Sequence, residues 1–125
     1  MISLLKPVLP ARLIPGDTIA IAAPASCFDK EKFYRGITVL EEMGFRPFVP
    51  YDLFQKDSYL AGSDFHRAAL LNRLFADKAI KAILCARGGF GSMKILSLLN
   101  FNCIRKNPKI FVGFSDISAL LSVLY

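Results

Sequence analysis

The sequence predicts an α/β fold built on a doubly wound, mostly parallel sheet. Three observations lead there. Short, near-continuous apolar runs alternate with segments whose apolar residues recur at helical spacing, the pattern of strands joined by crossover helices. The run 18–23 is near-continuously apolar, as expected of a strand buried on both faces. The 125 residues are 54% apolar and 21% charged, which excludes a disordered chain and, at a prior of roughly 150 residues per domain, corresponds to one domain.

The first strand is the run 18–23. It follows the turn Pro15-Gly16-Asp17 and stops at Pro24, because proline fixes φ and glycine accepts positive φ. Asp29 is placed to cap a helix that shows Phe33, Ile37 and Leu40 on one face and ends at Gly44. Residues 45–49 form a second strand, ended by Pro50, and 51–62 a loop. Ser63 or Asp64 caps a second helix with Leu70, Leu71, Leu74 and Phe75 on one face. A third strand spans 80–86. The glycine-rich turn 87–91 follows, then a third helix over 92–99 closed by Asn100. Residues 109–112 form a fourth strand after Pro108. The segment 117–125 is apolar at helical spacing and carries no Gly or Pro stop signal, as in a chain cut at a domain boundary. Right-handed crossovers wind such an order into a flavodoxin- or Rossmann-like sheet.

The mean hydropathy of +0.42 is high for this size, yet no apolar run approaches the roughly 18 residues that span a bilayer. The excess apolar surface is therefore expected in a core or against a partner. Residues 1–10 hold too short an apolar stretch for a secretory signal, and Pro7 and Pro10 interrupt it. The three cysteines form no CxxC pair, which excludes a disulfide scaffold and points to a reducing compartment. The net charge of +6 is scattered. Its densest groups, Lys78 with Lys81 and Arg105 with Lys106 and Lys109, have no interleaved aromatics, so they read as solvated helix ends and loops, not a nucleic-acid surface.

Ligands of doubly wound sheets bind beyond the C-terminal ends of the strands. The segments 23–28, 87–91 and 113–116 project there. In Gly113-Phe114-Ser115-Asp116, a serine sits where a strand turns into a helix. That is the logic of a nucleophile elbow, with the Asp116 N–H aimed at a developing oxyanion. The match to G-x-S-x-G is partial, since residue 117 is Ile, and a simple helix cap by Ser115 is the competing explanation. Arg87-Gly88-Gly89-Phe90-Gly91 is neither a Walker A loop nor a dinucleotide fingerprint. It is either an anion or oxyanion cradle of backbone N–H groups or a tight turn. Arg87 either binds a substrate carboxylate or joins a structural ion pair. His66, the single histidine, lies far in sequence from Ser115 and reads as a solvated surface residue. No cluster has metal-ligand spacing.

Five motifs occur in an order that resembles the LD-carboxypeptidases, serine peptidases that include murein tetrapeptide carboxypeptidases and microcin C immunity proteins. They are Leu13-x-Pro15-Gly16-Asp17, Ala23-Pro24-Ala25-Ser26, Tyr59-Leu60-Ala61-Gly62-Ser63-Asp64, Ala86 through Gly91, and Gly113-Phe114-Ser115-Asp116-Ile117-Ser118-Ala119-Leu120. The resemblance implies that Ser115 is the nucleophile and that the Gly89 and Asp116 N–H groups form the oxyanion hole. Ser26, Arg87, Gly88, Phe90 and Phe114 are candidate substrate-site residues. Phe90 and Phe114 stand where the family commonly has Tyr. The implied reaction releases the terminal D-alanine of cytoplasmic murein tetrapeptides through an acyl-enzyme, with no metal or cofactor. The family's triad Glu and His lie in a C-terminal domain absent from residues 1–125. The resemblance therefore implies the N-terminal domain of a two-domain enzyme, inactive alone, whose partners are a peptidoglycan-derived peptide, its own C-terminal domain and a second copy in a homodimer, with no nucleic acid or membrane. A microcin C immunity-type amide hydrolase is the alternative within the family. A non-catalytic nucleotide- or phosphate-binding module is the alternative outside it.

Overall fold

The structure is a computed structural model that describes residues 9–57, 60–87, 91–113, 117, 120 and 124. Four strands, β1 (Thr18–Ala22), β2 (Arg46–Phe48), β3 (Ile80–Cys85) and β4 (Ile110–Val112), form one sheet in the order β2-β1-β3-β4. Every pairing is parallel. Three α-helices connect them: α1 (Lys30–Glu42), α2 (Asp64–Ala76) and α3 (Phe101–Lys106). The parallel α/β sheet is the one the sequence predicts, and the strand order is added by the structure.

Local chemistry accounts for the helix ends. The Asp29 carboxylate accepts from the Glu31 and Lys32 amides at 2.8 and 3.2 Å, and Gly44 takes φ +91 just after α1, a left-handed terminator that glycine adopts freely. Ser63, and not Asp64, caps α2, its Oγ accepting from the His66 amide at 3.1 Å. At the other helix expectation the structure differs. Residues Ser92–Leu98 form a 3-10 helix, and Asn100 begins α3 instead of closing the segment. Its side chain accepts from the Cys103 amide at 3.1 Å. Asparagine both ends and starts helices; Asn72 of α2 decides between them. Its side chain accepts from the Asn100 amide at 2.8 Å and donates to the Leu98 carbonyl at 3.0 Å. Of the predicted final helix 117–125, the structure describes Ile117 and Leu120, both fully buried, and Leu124.

The two faces of the sheet are filled unequally. Side chains alternate across a strand, so the register Ala20↔Ile83 and Ile83↔Phe111 puts these residues on one face. There Phe111 stacks on Phe75 of α2 at 6.0 Å between ring centroids. Ala20, Leu70, Leu71 and Leu74 complete this side of the core. The opposite face carries Ile21 and Leu84, which with Phe33 and Ile37 of α1 line a groove of about 510 Å³. Val112, in register with Leu84, extends that face and is 47% exposed.

The positive charge is less scattered in space than in sequence. Lys78, Lys81, Lys106 and Lys109 gather with Arg12 around a second groove at the N-terminal end of the sheet. Lys109 is buried, and its ammonium donates to the carbonyls of Asp77 and Ile80 at 2.7 and 2.6 Å. Burial pushes its pKa below the usual lysine value.

Leu71 lies at the centre of the α2 face and is 1% exposed. Leu71→Ala is expected to lower unfolding stability by about 2–5 kcal/mol, measured by urea titration.

Candidate active site

β1 leads to β2 on one side of the sheet, and β3 leads to β4 on the other. The crevice at the C-terminal ends of β1 and β3 is therefore the topological switch point, where ligands of such sheets bind. The loops that leave these strands are 23–28 and 86–91. The last carbonyl of β1 and three carbonyls of the first loop are held from outside it or across to the second. Ala22 accepts from the Ala86 amide at 2.8 Å and Ala25 from the Ala61 amide at 2.9 Å. Pro24 accepts from Arg67 Nη1 at 2.7 Å, and Cys27 from Arg87 Nη1 at 3.0 Å.

Arg67 of α2 is the site's main organiser. It is 1% exposed. Beyond Pro24, it donates from Nε to the Gly62 carbonyl at 3.1 Å and from Nη1 to the Gly91 carbonyl at 2.8 Å. Its Nη2 pairs with the Asp64 carboxylate. One guanidinium thus ties the start of α2 to both loops of the switch point. Arg67 is not among the residues the sequence motifs single out. The signal was present, since Arg67 falls on the apolar stripe of α2 ahead of Leu70, Leu71 and Leu74, and an arginine at a buried helical position requires partners.

The candidate residues divide as follows. Arg87 is exposed and contacts the backbone of the 23–28 loop. No carboxylate partner of Arg87 is seen among the described residues. Ser26 is buried, 7% exposed, and its backbone bridges antiparallel to Leu60. Gly88, Gly89, Phe90, Phe114, Ser115 and Asp116 lie outside the described residues. The residues that bracket the last three are described. A Cβ added to Gly113 would fall 2.4 Å from Ile117 Cγ2 and 3.3 Å from Cys85 Sγ. Glycine is therefore required where β4 ends, which is the room a sharp elbow needs.

His66 departs from its expected surface role. Its ring packs on Gly62, where an added Cβ would meet Cδ2 at 2.4 Å. Its Nε2 is buried with no hydrogen-bond partner among the described residues. Among those residues no group of three or more His, Cys, Asp or Glu is placed to hold a metal ion. No helix among them is long and apolar enough to cross a membrane.

Residues 19–125 match the family described as LD-carboxypeptidase N-terminal domain. The chain belongs to that family. It is 42% identical over 116 residues to a Bacillus subtilis (strain 168) protein described as a "probable murein peptide carboxypeptidase", covering 93% of this chain and 36% of that protein. It is 32% identical over 108 residues to the murein tetrapeptide carboxypeptidase of Pseudomonas aeruginosa, covering 86% of this chain and 35% of that one. The solved structure of the microcin C7 self-immunity protein MccF with aspartyl sulfamoyl adenosine superposes with a TM-score of 0.91 at 34% identity, over 95% of this chain and 36% of that one. The chain spans about a third of the length of these relatives.

In this LD-carboxypeptidase domain, Cys85 ends β3 beside Gly113, and burial pushes its thiol up to about 12 from 9.0. The thiol stays protonated in the folded protein at pH 8. Iodoacetamide at pH 8 is expected to leave Cys85 unmodified until denaturant is added, read by mass spectrometry. The sign of the linked effect follows: above the ordinary thiol value the unfolded chain releases a proton that the folded chain keeps, so stability falls as pH rises past 9.

Proposed function

We propose that the chain is the nucleophile-bearing N-terminal domain of a two-domain serine LD-carboxypeptidase that releases the terminal D-alanine of murein tetrapeptides in the cytoplasm. The observation that carries the proposal is the match of residues 19–125 to the family, on a sheet whose switch-point loops are held rigidly by Arg67 and Arg87. The relatives' names supply the class of substrate.

In the proposed mechanism Ser115 Oγ attacks the carbonyl carbon of the amide that precedes D-alanine. The Gly89 and Asp116 N–H groups receive the oxyanion, and one such donor is worth roughly 3–4 kcal/mol. Collapse of the tetrahedral intermediate breaks the C–N bond. D-alanine departs with the serine proton on its amine, leaving the peptide esterified to Ser115. Water then hydrolyses the ester and restores the hydroxyl. A serine hydroxyl is a weak nucleophile without a base, and the base and its carboxylate partner are assigned to the region that the longer relatives have beyond the part matched here. The apolar face formed by Ile21, Leu84 and Val112 is assigned to contact with that region or a second copy. Triad members act as a unit, so residues 1–125 alone are inactive under the proposal.

A second reading is favoured by one observation, the close superposition on MccF, whose structure holds an aminoacyl sulfamoyl nucleoside. There the same Ser115 cleaves the amide of an aminoacyl-nucleotide analogue.

The full-length protein is expected to be labelled by a fluorophosphonate probe and to release D-alanine from a murein tetrapeptide. Ser115→Ala is expected to abolish labelling and to lower kcat by about 10⁴-fold or more. Equal turnover by Ser115→Ala would refute the serine mechanism. Preference for the sulfamoyl nucleoside over the tetrapeptide would select the second reading.

A further inference from the structure

We infer that Arg67 is a positioning residue for the acyl-transfer site: its guanidinium sets the glycine-rich turn after β3 against the loop after β1. The inference rests on the function proposed above. It adds a residue that acts through the backbone of the loops around the site.

The turn is approached from both ends. Upstream, the Ala86 amide donates to the Ala22 carbonyl at 2.8 Å, which ties the exit of β3 to the exit of β1. Downstream, the Gly91 carbonyl accepts from Arg67 Nη1 at 2.8 Å. The same nitrogen donates to Pro24 at 2.7 Å, so one group spans the crevice between the loops. Gly91 itself is shaped by this contact. It holds φ +112, and a Cβ there would fall 2.7 Å from Leu60 Cδ2 and 3.2 Å from Arg67 Nη1. The Gly91 carbonyl in turn accepts from the Lys94 amide at 3.1 Å, starting the 3-10 helix. The span that contains the candidate oxyanion residue Gly89 is thus tied to its surroundings at Ala86 and at Gly91.

The guanidinium suits this task through its planar fork. Its donors point in fixed, divergent directions. Here they serve carbonyls from three separate loops and one carboxylate. A lysine ammonium keeps the charge but presents a compact group on a flexible stem. It would not serve Gly62, Pro24 and Gly91 together. Displacement of an oxyanion donor by about 1 Å is enough to cost on the order of 10²-fold in rate.

The test compares full-length wild type with Arg67→Lys, Arg67→Met, Gly91→Ala and Leu71→Ala by hydrogen exchange and by kinetics well below each Tm. Arg67→Lys and Gly91→Ala keep the test decisive should Arg67→Met fail to fold. Leu71→Ala is a destabilised control on the same helix. Amides in 23–28, 60–62 and 86–94 are expected to exchange about tenfold faster in the Arg67 and Gly91 variants, with the interiors of β1 and β3 unchanged. For D-alanine release, kcat is expected to fall roughly 10- to 100-fold with KM nearly unchanged, while Leu71→Ala keeps its kcat. Wild-type exchange in these loops for Arg67→Lys would overturn the inference whatever the activity. So would a loss of kcat in Leu71→Ala equal to that in the Arg67 variants, since the effect would then follow stability alone. If wild type neither releases D-alanine nor takes the fluorophosphonate, the functional proposal fails. Faster loop exchange would in that case still establish Arg67 as the clamp between the loops, and unchanged exchange would remove it.

Discussion

Arg67 places a guanidinium in a buried position, 1% exposed, and much of the architecture around the switch point answers to it. An unpaired buried charge costs at least several kcal/mol. The cost is met here by three backbone carbonyls and one carboxylate. Each of those carbonyls belongs to a different loop, at Pro24, Gly62 and Gly91. Satisfying the charge and ordering the loops are therefore one event. The constraint spreads to the glycines. Gly91 has no room for a Cβ beside Leu60 and Arg67, and Gly62, at φ +103, has none beside His66.

The sheet supplies the frame for this arrangement. Parallel strands leave their C-terminal ends together on one edge, and the order β2-β1-β3-β4 opens a crevice between β1 and β3. Small residues make the packing beneath it possible. Ala20, Ala22 and Ala68 are almost fully buried where α2 approaches the strands. On the other face α1 buries no residue completely, and the groove along Ile21, Phe33 and Leu84 stays open. A parallel sheet is normally covered on both faces. The apolar content that stands out in the composition thus has a location, a strip running from α1 to Val112, and the relatives are about three times as long as the part of them that this chain matches.

The two cations nearest the crevice play different parts. Arg67 is enclosed and holds three carbonyls and a carboxylate of the protein. Arg87 is exposed and uses one nitrogen to hold the Cys27 carbonyl at 3.0 Å. Loops built this way combine a rigid backbone with a solvent-facing charge, the combination that binding loops on a fixed scaffold require. Ser26, by contrast, is enclosed next to the bridge to Leu60. It belongs to the wall of the site more than to its opening.

The sequence alone determined the parallel α/β class, the strands and the first two helices. These follow from short-range rules: apolar periodicity, Asp29 and Ser63 as caps, and Gly44 as a terminator. It also carried the five family motifs, and with them the candidate nucleophile and oxyanion residues, because such motifs are local runs. Tertiary structure decided what depends on distant partners. Asn100 starts a helix because Asn72, on another helix, holds its amide. The lysines at 78, 81, 106 and 109 share one groove because the start of β3 lies beside the start of β4. His66 is half-buried because Gly62 lets its ring in. Arg67 became the centre of the site for the same reason. Its helical phase marks it as buried, but the Pro24 carbonyl lies 43 positions away in the chain, and only folding brings that acceptor within reach.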